Sequence, residues 1–122
     1  MTKQELQTFE DRLQEMGYRK YPATMNSADY AWFKSFGKSE HAENRSNYQI
    51  AFSVYDFSPY ADRDESLRKN PYRCTPSILL SRCIDERVDL EISSVNIDRT
   101  DIEYIEKLAQ SFYEWADKSI EL

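Results

Sequence analysis

From Tyr48 to Tyr55 the chain alternates without a break, with Tyr48, Ile50, Phe52 and Val54 on one parity and Gln49, Ala51, Ser53 and Tyr55 on the other. Only an extended strand with one covered face has that period, because successive side chains leave a strand on opposite sides. A one-residue slip in pairing would turn the whole apolar set to water, so this segment commits the chain to a sheet with one buried side. The strand is expected over Tyr48 to Phe57. An earlier strand, Tyr30 to Gly37, carries bulky residues on both parities: Tyr30, Trp32 and Phe36 against Ala31, Phe33 and Ser35. Its alternation leaves open which set is buried.

Ser77 to Ile84 and Val88 to Val95 read as a hairpin. A three-residue turn, Asp85-Glu86-Arg87, sets Ile78, Leu80 and Ile84 beside Val88, Leu90 and Ile92, whereas a two-residue turn pairs Arg82 with Asp89. Neither has the usual Gly or Asn; the first is preferred because it gathers the apolar residues on one face. Residues 18–28 form a connector broken by Pro22, with room for a short edge strand. Ser58 to Thr75 is a long polar connection holding Pro59 and Pro71, in which Asp62-x-x-Glu65 is placed to cap a short helix through Lys69.

A helix is expected at each end. Thr2 and Glu5 make a capping box for the first, Thr2 to Met16, whose Leu6, Phe9, Leu13 and Met16 form one apolar stripe. Gly17 follows as a left-handed C′ residue, with Tyr18 folding back on Leu13. The last helix, about Asp98 to Lys118, is capped by Asp98 or by Thr100 with Glu103. Its stripe runs Ile102, Ile105, Leu108, Ala109, Phe112, Trp115 and Ala116. The order α-β-β-β-β-α implies an α+β two-layer sandwich, a four-stranded antiparallel meander with both helices on one face. At 122 residues the chain is expected to be a single domain, residues 1–122.

Composition excludes several functions. Two glycines, Gly17 and Gly37, cannot build a phosphate-cradling loop, and one histidine, His41, cannot build a multi-histidine metal site. A net charge of −6 argues against direct nucleic-acid binding, which rests on cations neutralising phosphates. Apolar runs such as Ile78 to Leu80 fall far short of the ~20 residues a membrane helix needs. The opening Met1 to Glu5 runs straight into a helical pattern, so no signal peptide is expected. Cys74 and Cys83 form no disulfide framework or zinc spacing, and a reduced, cytoplasmic setting is the expectation.

No catalytic or metal motif emerges, and no cofactor is implied. His41 sits in a polar loop without a second ligand. Asp62, Asp64 and Glu65 are interleaved with Arg63, Arg68 and Lys69, so mutual ion pairing explains them. Asp89 and Glu91 share a strand face about 7 Å apart at a rise of ~3.3 Å per residue, a pair of carboxylates with no pocket-forming companion.

The better lead is the uncovered sheet face, small at its centre (Ala51, Ser53, Cys83) and aromatic at one end. Phe33, Tyr55, Phe57 and Leu79, with Trp32 as the ambiguous member, are the expected contact residues for a protein partner or a second copy. An acidic stripe on the last helix, Glu103, Glu106, Glu114 and Asp117, is the alternative. It would suit an inhibitor or regulator of a nucleic-acid-binding protein. An enzyme with an unrecognised site stands third.

Overall fold

The computed structural model describes residues 1–22, 28–37, 46–85, 88–96 and 101–119; side chains are described for 1–22, 28–36, 48–79 and 101–115. The elements are α1 (Lys3–Glu15), β1 (Arg19–Pro22), β2 (Tyr30–Gly37), β3 (Ser46–Asp56), a 3₁₀ segment (Ser58–Arg63), α2 (Glu65–Lys69), β4 (Tyr72–Asp85), β5 (Val88–Asn96) and α3 (Ile102–Ser119). The strands form one antiparallel meander in the order β1-β2-β3-β4-β5, so the α+β arrangement expected from the alternation holds, with β1 as an additional edge strand. Its contacts cluster into two compact units, Met1–Phe33 with Phe52–Thr75, and Lys34–Ala51 with Pro76–Leu122.

In the first unit α1 is set by bonds at both ends. The Thr2 hydroxyl accepts from the Glu5 N–H at 3.1 Å while the Glu5 carboxylate accepts from the Thr2 N–H at 3.0 Å. Those bonds hold the Glu5 carboxyl below its ordinary range, the Thr2 backbone bond contributing most. At the other end Gly17 takes φ 92°, Tyr18 N–H donates to Leu13 O at 3.0 Å and Gly17 N–H to Gln14 O at 3.1 Å. That is the Schellman pattern, which a residue without Cβ enters at no steric cost. The helix buries Leu6 and Leu13. Phe9 and Tyr18 meet the fully buried Phe52 edge-on, with centroids 5.4 and 5.5 Å from it. Removing a side chain of that size from water stabilises by roughly 1.5–3 kcal/mol. β1 pairs with β2, Arg19 opposite Phe33 and Tyr21 opposite Ala31.

The second unit buries Ile50, Ile78, Ile102, Ile105 and Ala109. Phe36 stacks on Tyr48 at 4.7 Å and 5°, and Tyr113 of α3 reaches the same ring at 5.3 Å. Burial, with the Glu106 charge second, pushes the Tyr48 phenol up.

Several expectations change in detail. Trp32 is only 8% exposed and Ala31 wholly buried, whereas Phe33, on the parity of Ala31, is half-buried and Ser35 exposed. Asp64, not Asp62, caps α2, its carboxylate accepting from Ser66 N–H at 2.9 Å. Asp101 takes the capping role at α3, accepting from Tyr104 N–H at 3.4 Å; residues 97–100, with the expected caps Asp98 and Thr100, lie outside the described residues. Trp115 is 60% exposed rather than part of the buried stripe, because the spacing Ile102, Ile105, Ala109 centres the core elsewhere on the helix.

β4 starts at Tyr72 and runs through buried Pro76; its described pairing with β5 begins one residue later, at Ser77↔Asn96, so that ladder asks for no N–H from the proline. Arg82 faces Leu90, the register counted from the expected three-residue turn, but Asp85 pairs with Val88 and so belongs to the strand instead of the turn. Register shifts between Cys83 and Asp85 and between Leu80 and Ser81 then pair Asp85 with Val88 and Leu80 with Ser93. Ile84 and Ile92 fall at those shifts and have no opposite residue, which a register counted from the turn alone does not foresee.

Candidate functional site

The pleat of β2 and β3 sorts the first unit into a face toward α1 and a face away from it. Trp32 and Phe52 mark the α1 side, through the Trp32 bond to Glu10 and the Phe9 contact. Phe33 and Tyr55, on the opposite parity, therefore lie on the outer face. Opposite residues of an antiparallel pair share a face, so Arg19 joins Phe33 and Tyr21 joins Ala31 on that side.

Two ring pairs result. Tyr21 meets Phe33 edge-on at 5.5 Å, and Tyr55 stacks on Phe57 at 6.2 Å and 9°. Tyr21 is 46% exposed; Phe33, Tyr55 and Phe57 are half-buried. The Arg73 guanidinium carbon stands 5.6 Å over the Phe57 ring.

Of the residues expected at a contact surface, Phe33, Tyr55 and Phe57 thus share this face within one unit. Leu79 belongs to the second unit and is half-buried. Trp32 leaves the set: its indole points to α1 and donates to the Glu10 carboxylate at 2.7 Å. Sequence reasoning passed over Tyr21, Arg19 and Arg73. The signal was the Arg19-x-Tyr21 parity before Pro22, which only a strand assignment for Arg19–Pro22 turns into a face.

On the α1 side a cleft of about 290 Å³ is lined by Lys3, Leu6, Gln7, Glu10, Asp29, Tyr30, Asp56 and Tyr72. Its three carboxylates could meet a cationic group, yet each already serves the fold. Glu10 accepts from Trp32, Asp29 accepts from Asp56 N–H at 2.7 Å, and Asp56 accepts from Ser58 N–H at 2.8 Å. Tyr30 also donates to Glu10, and burial, helped by that bond and the Glu10 charge, raises its phenol far above the ordinary range. Burial, with the Glu10 charge second, pushes the nearby Cys74 thiol up to about 12. A thiol so protonated at neutral pH is a poor nucleophile.

The acidic stripe on α3 is partly engaged. Glu106 sits 4.0 Å from Lys34 Nζ, and Glu114 accepts from Gln110 at 3.2 Å; Glu103 is exposed, and the Asp117 side chain lies outside those described. Asp64 caps α2 and Glu65 pairs with Lys69 at 3.8 Å, consistent with a structural role for that acidic cluster. His41 and the side chains of Cys83, Asp89 and Glu91 lie outside the described residues. Among the described residues no group of three or more His, Cys, Asp or Glu is placed to hold a metal ion, and no helix is long and apolar enough to cross a membrane. No protein-family model, curated protein or solved structure matches the chain, so the reading of these surfaces rests on their own geometry.

Proposed function

We propose that the chain is a non-catalytic interaction module that binds a protein partner through the outer face of its first unit. The observation that carries this reading is the grouping of two partly exposed ring pairs, Tyr21 with Phe33 and Tyr55 with Phe57, on the sheet face turned away from α1. Grouped aromatic surface marks contacts where scattered apolar residues do not, and rigid rings give large contact area at little entropic cost. The small neighbours Ser53 and Thr75, both half-buried, let a partner backbone approach closely.

The test combines sizing with capture from the native host, using the wild type and the Phe33→Ser/Tyr55→Ser double variant. The wild type is expected to form a stoichiometric complex that the folded double variant fails to form. A double variant that keeps every interaction and the same elution overturns the reading. A wild type that elutes as a dimer, and becomes monomeric in the double variant, identifies a second copy as the occupant.

A further inference from the structure

We infer that the partner presents an acidic segment to this face, its carboxylates seated on Arg19 and Arg73; the inference rests on the contact reading above. Although the chain carries a net charge of −6, the outer strand positions of its first unit are positive. The described strand positions of the first unit that point away from α1 carry Arg19 and Arg73 and no carboxylate, whereas Glu5, Glu10, Asp11 and Glu15 all belong to α1. Both arginines are exposed.

The guanidinium carbon of Arg73 stands 5.6 Å over the Phe57 ring. A ring beneath the guanidinium restricts the side chain, so less freedom is lost when its N–H groups pair with a carboxylate. A two-fold contact between identical copies would bring two such arginine-bearing faces together with no strand carboxylate to pair them, which favours a different chain. A single-stranded nucleic acid also stacks on rings, but it needs a track of cations along its backbone. Two guanidiniums neutralise few phosphates, and the remaining acidic surface repels a polyanion. A protein segment with one or two carboxylates among apolar side chains fits both the rings and the charges.

The experiment selects a displayed library of random peptides on the full wild-type chain and on the Arg19→Glu/Arg73→Glu double variant, with circular dichroism showing that both fold. The wild type is expected to enrich Asp or Glu interspersed with aliphatic or aromatic residues, and the variant to enrich Lys or Arg in their place. A labelled peptide from the wild-type selection should bind the variant about tenfold or more weakly, and bind the wild type less well as salt rises. No enrichment, enrichment without charge bias, or the same sequences from both selections overturns the acidic-partner inference. In the latter two cases the contact face itself stands when Phe33→Ser abolishes binding, and falls with the inference when Phe33→Ser/Tyr55→Ser binds undiminished. Oligothymidylate that binds more tightly than the peptide and is lost in the arginine variant overturns it in favour of nucleic acid.

Discussion

Trp32 Nε1 donates to Glu10 Oε2 at 2.7 Å across 22 residues, and the same carboxylate accepts the Tyr30 hydroxyl. One half-buried acid of α1 thus satisfies two polar groups of β2. Glu10→Ala leaves both donors without that acceptor and is expected to destabilise the fold by about 1–3 kcal/mol. Urea denaturation followed by far-UV circular dichroism measures the loss. A change below about 0.5 kcal/mol, the usual size for a surface substitution, would show that water replaces Glu10 at no cost.

Gly17 closes α1 in the left-handed region. Gly17→Ala adds a Cβ that this conformation crowds, at a cost of roughly 1–2 kcal/mol, and Gly17→Asn is expected to cost less. Thermal unfolding of the two variants side by side checks the ranking. Alanine equal to or better than asparagine contradicts it.

Acid weakens the capping box at the start of the same helix. The Glu5 carboxyl lies below its ordinary value in the folded chain, so its bond contributes fully above the unfolded value of ~4.3 and is lost as pH falls through the folded value. Glu5→Gln is therefore expected to be less stable than the wild type at pH 7 and to converge on it at lower pH. Denaturation at the two pH values reads this directly; a gap that does not narrow in acid would assign the loss to something other than the charge.

Alkali acts on the half-buried Cys74 thiol. With the Cys74 thiol at about 12 in the folded chain, the neutral form is favoured, so its contribution is intact below the unfolded value of ~8.5 and lost as pH rises toward the folded one. In a Cys83→Ser background Cys74 is expected to react with iodoacetamide at pH 8 on the order of a thousandfold more slowly than an unperturbed thiol, with denaturant restoring the rate. Reaction at the ordinary rate in the native protein would show that the thiol is neither buried nor protonated.

The parts of this fold that were legible in the sequence are those whose partners lie a few residues away. Thr2 and Glu5 bond each other, and Gly17 and Tyr18 bond Gln14 and Leu13, so residue identity at fixed spacing is enough. The alternation of β3 is equally local, and Ile50, Phe52 and Val54 are wholly buried as it requires. Tyr55 on the outer face follows from the same parity, and Phe57, two residues on, stacks against it. The cap of α2 was missed because Asp62 and Asp64 offer equivalent chemistry, and the 3₁₀ segment Ser58–Arg63 carries the chain past Asp62 before the helix begins.

Other features were decided only by groups distant in the chain. β2 has bulky residues on both parities, and no local rule chooses between them; Glu10 on α1 and the pairing of β1 decide that Trp32 points to the helix and Phe33 away from it. Tyr21 and Arg19 look like connector residues until β1 gives them a face. The register of β4 against β5 depends on shifts at Ile84 and Ile92 that turn chemistry does not encode. Spacing therefore determined the elements and the parity of their side chains. Which parity met a helix, and so which faced away from it, was decided when the tertiary structure brought an acceptor 22 residues away to the Trp32 indole.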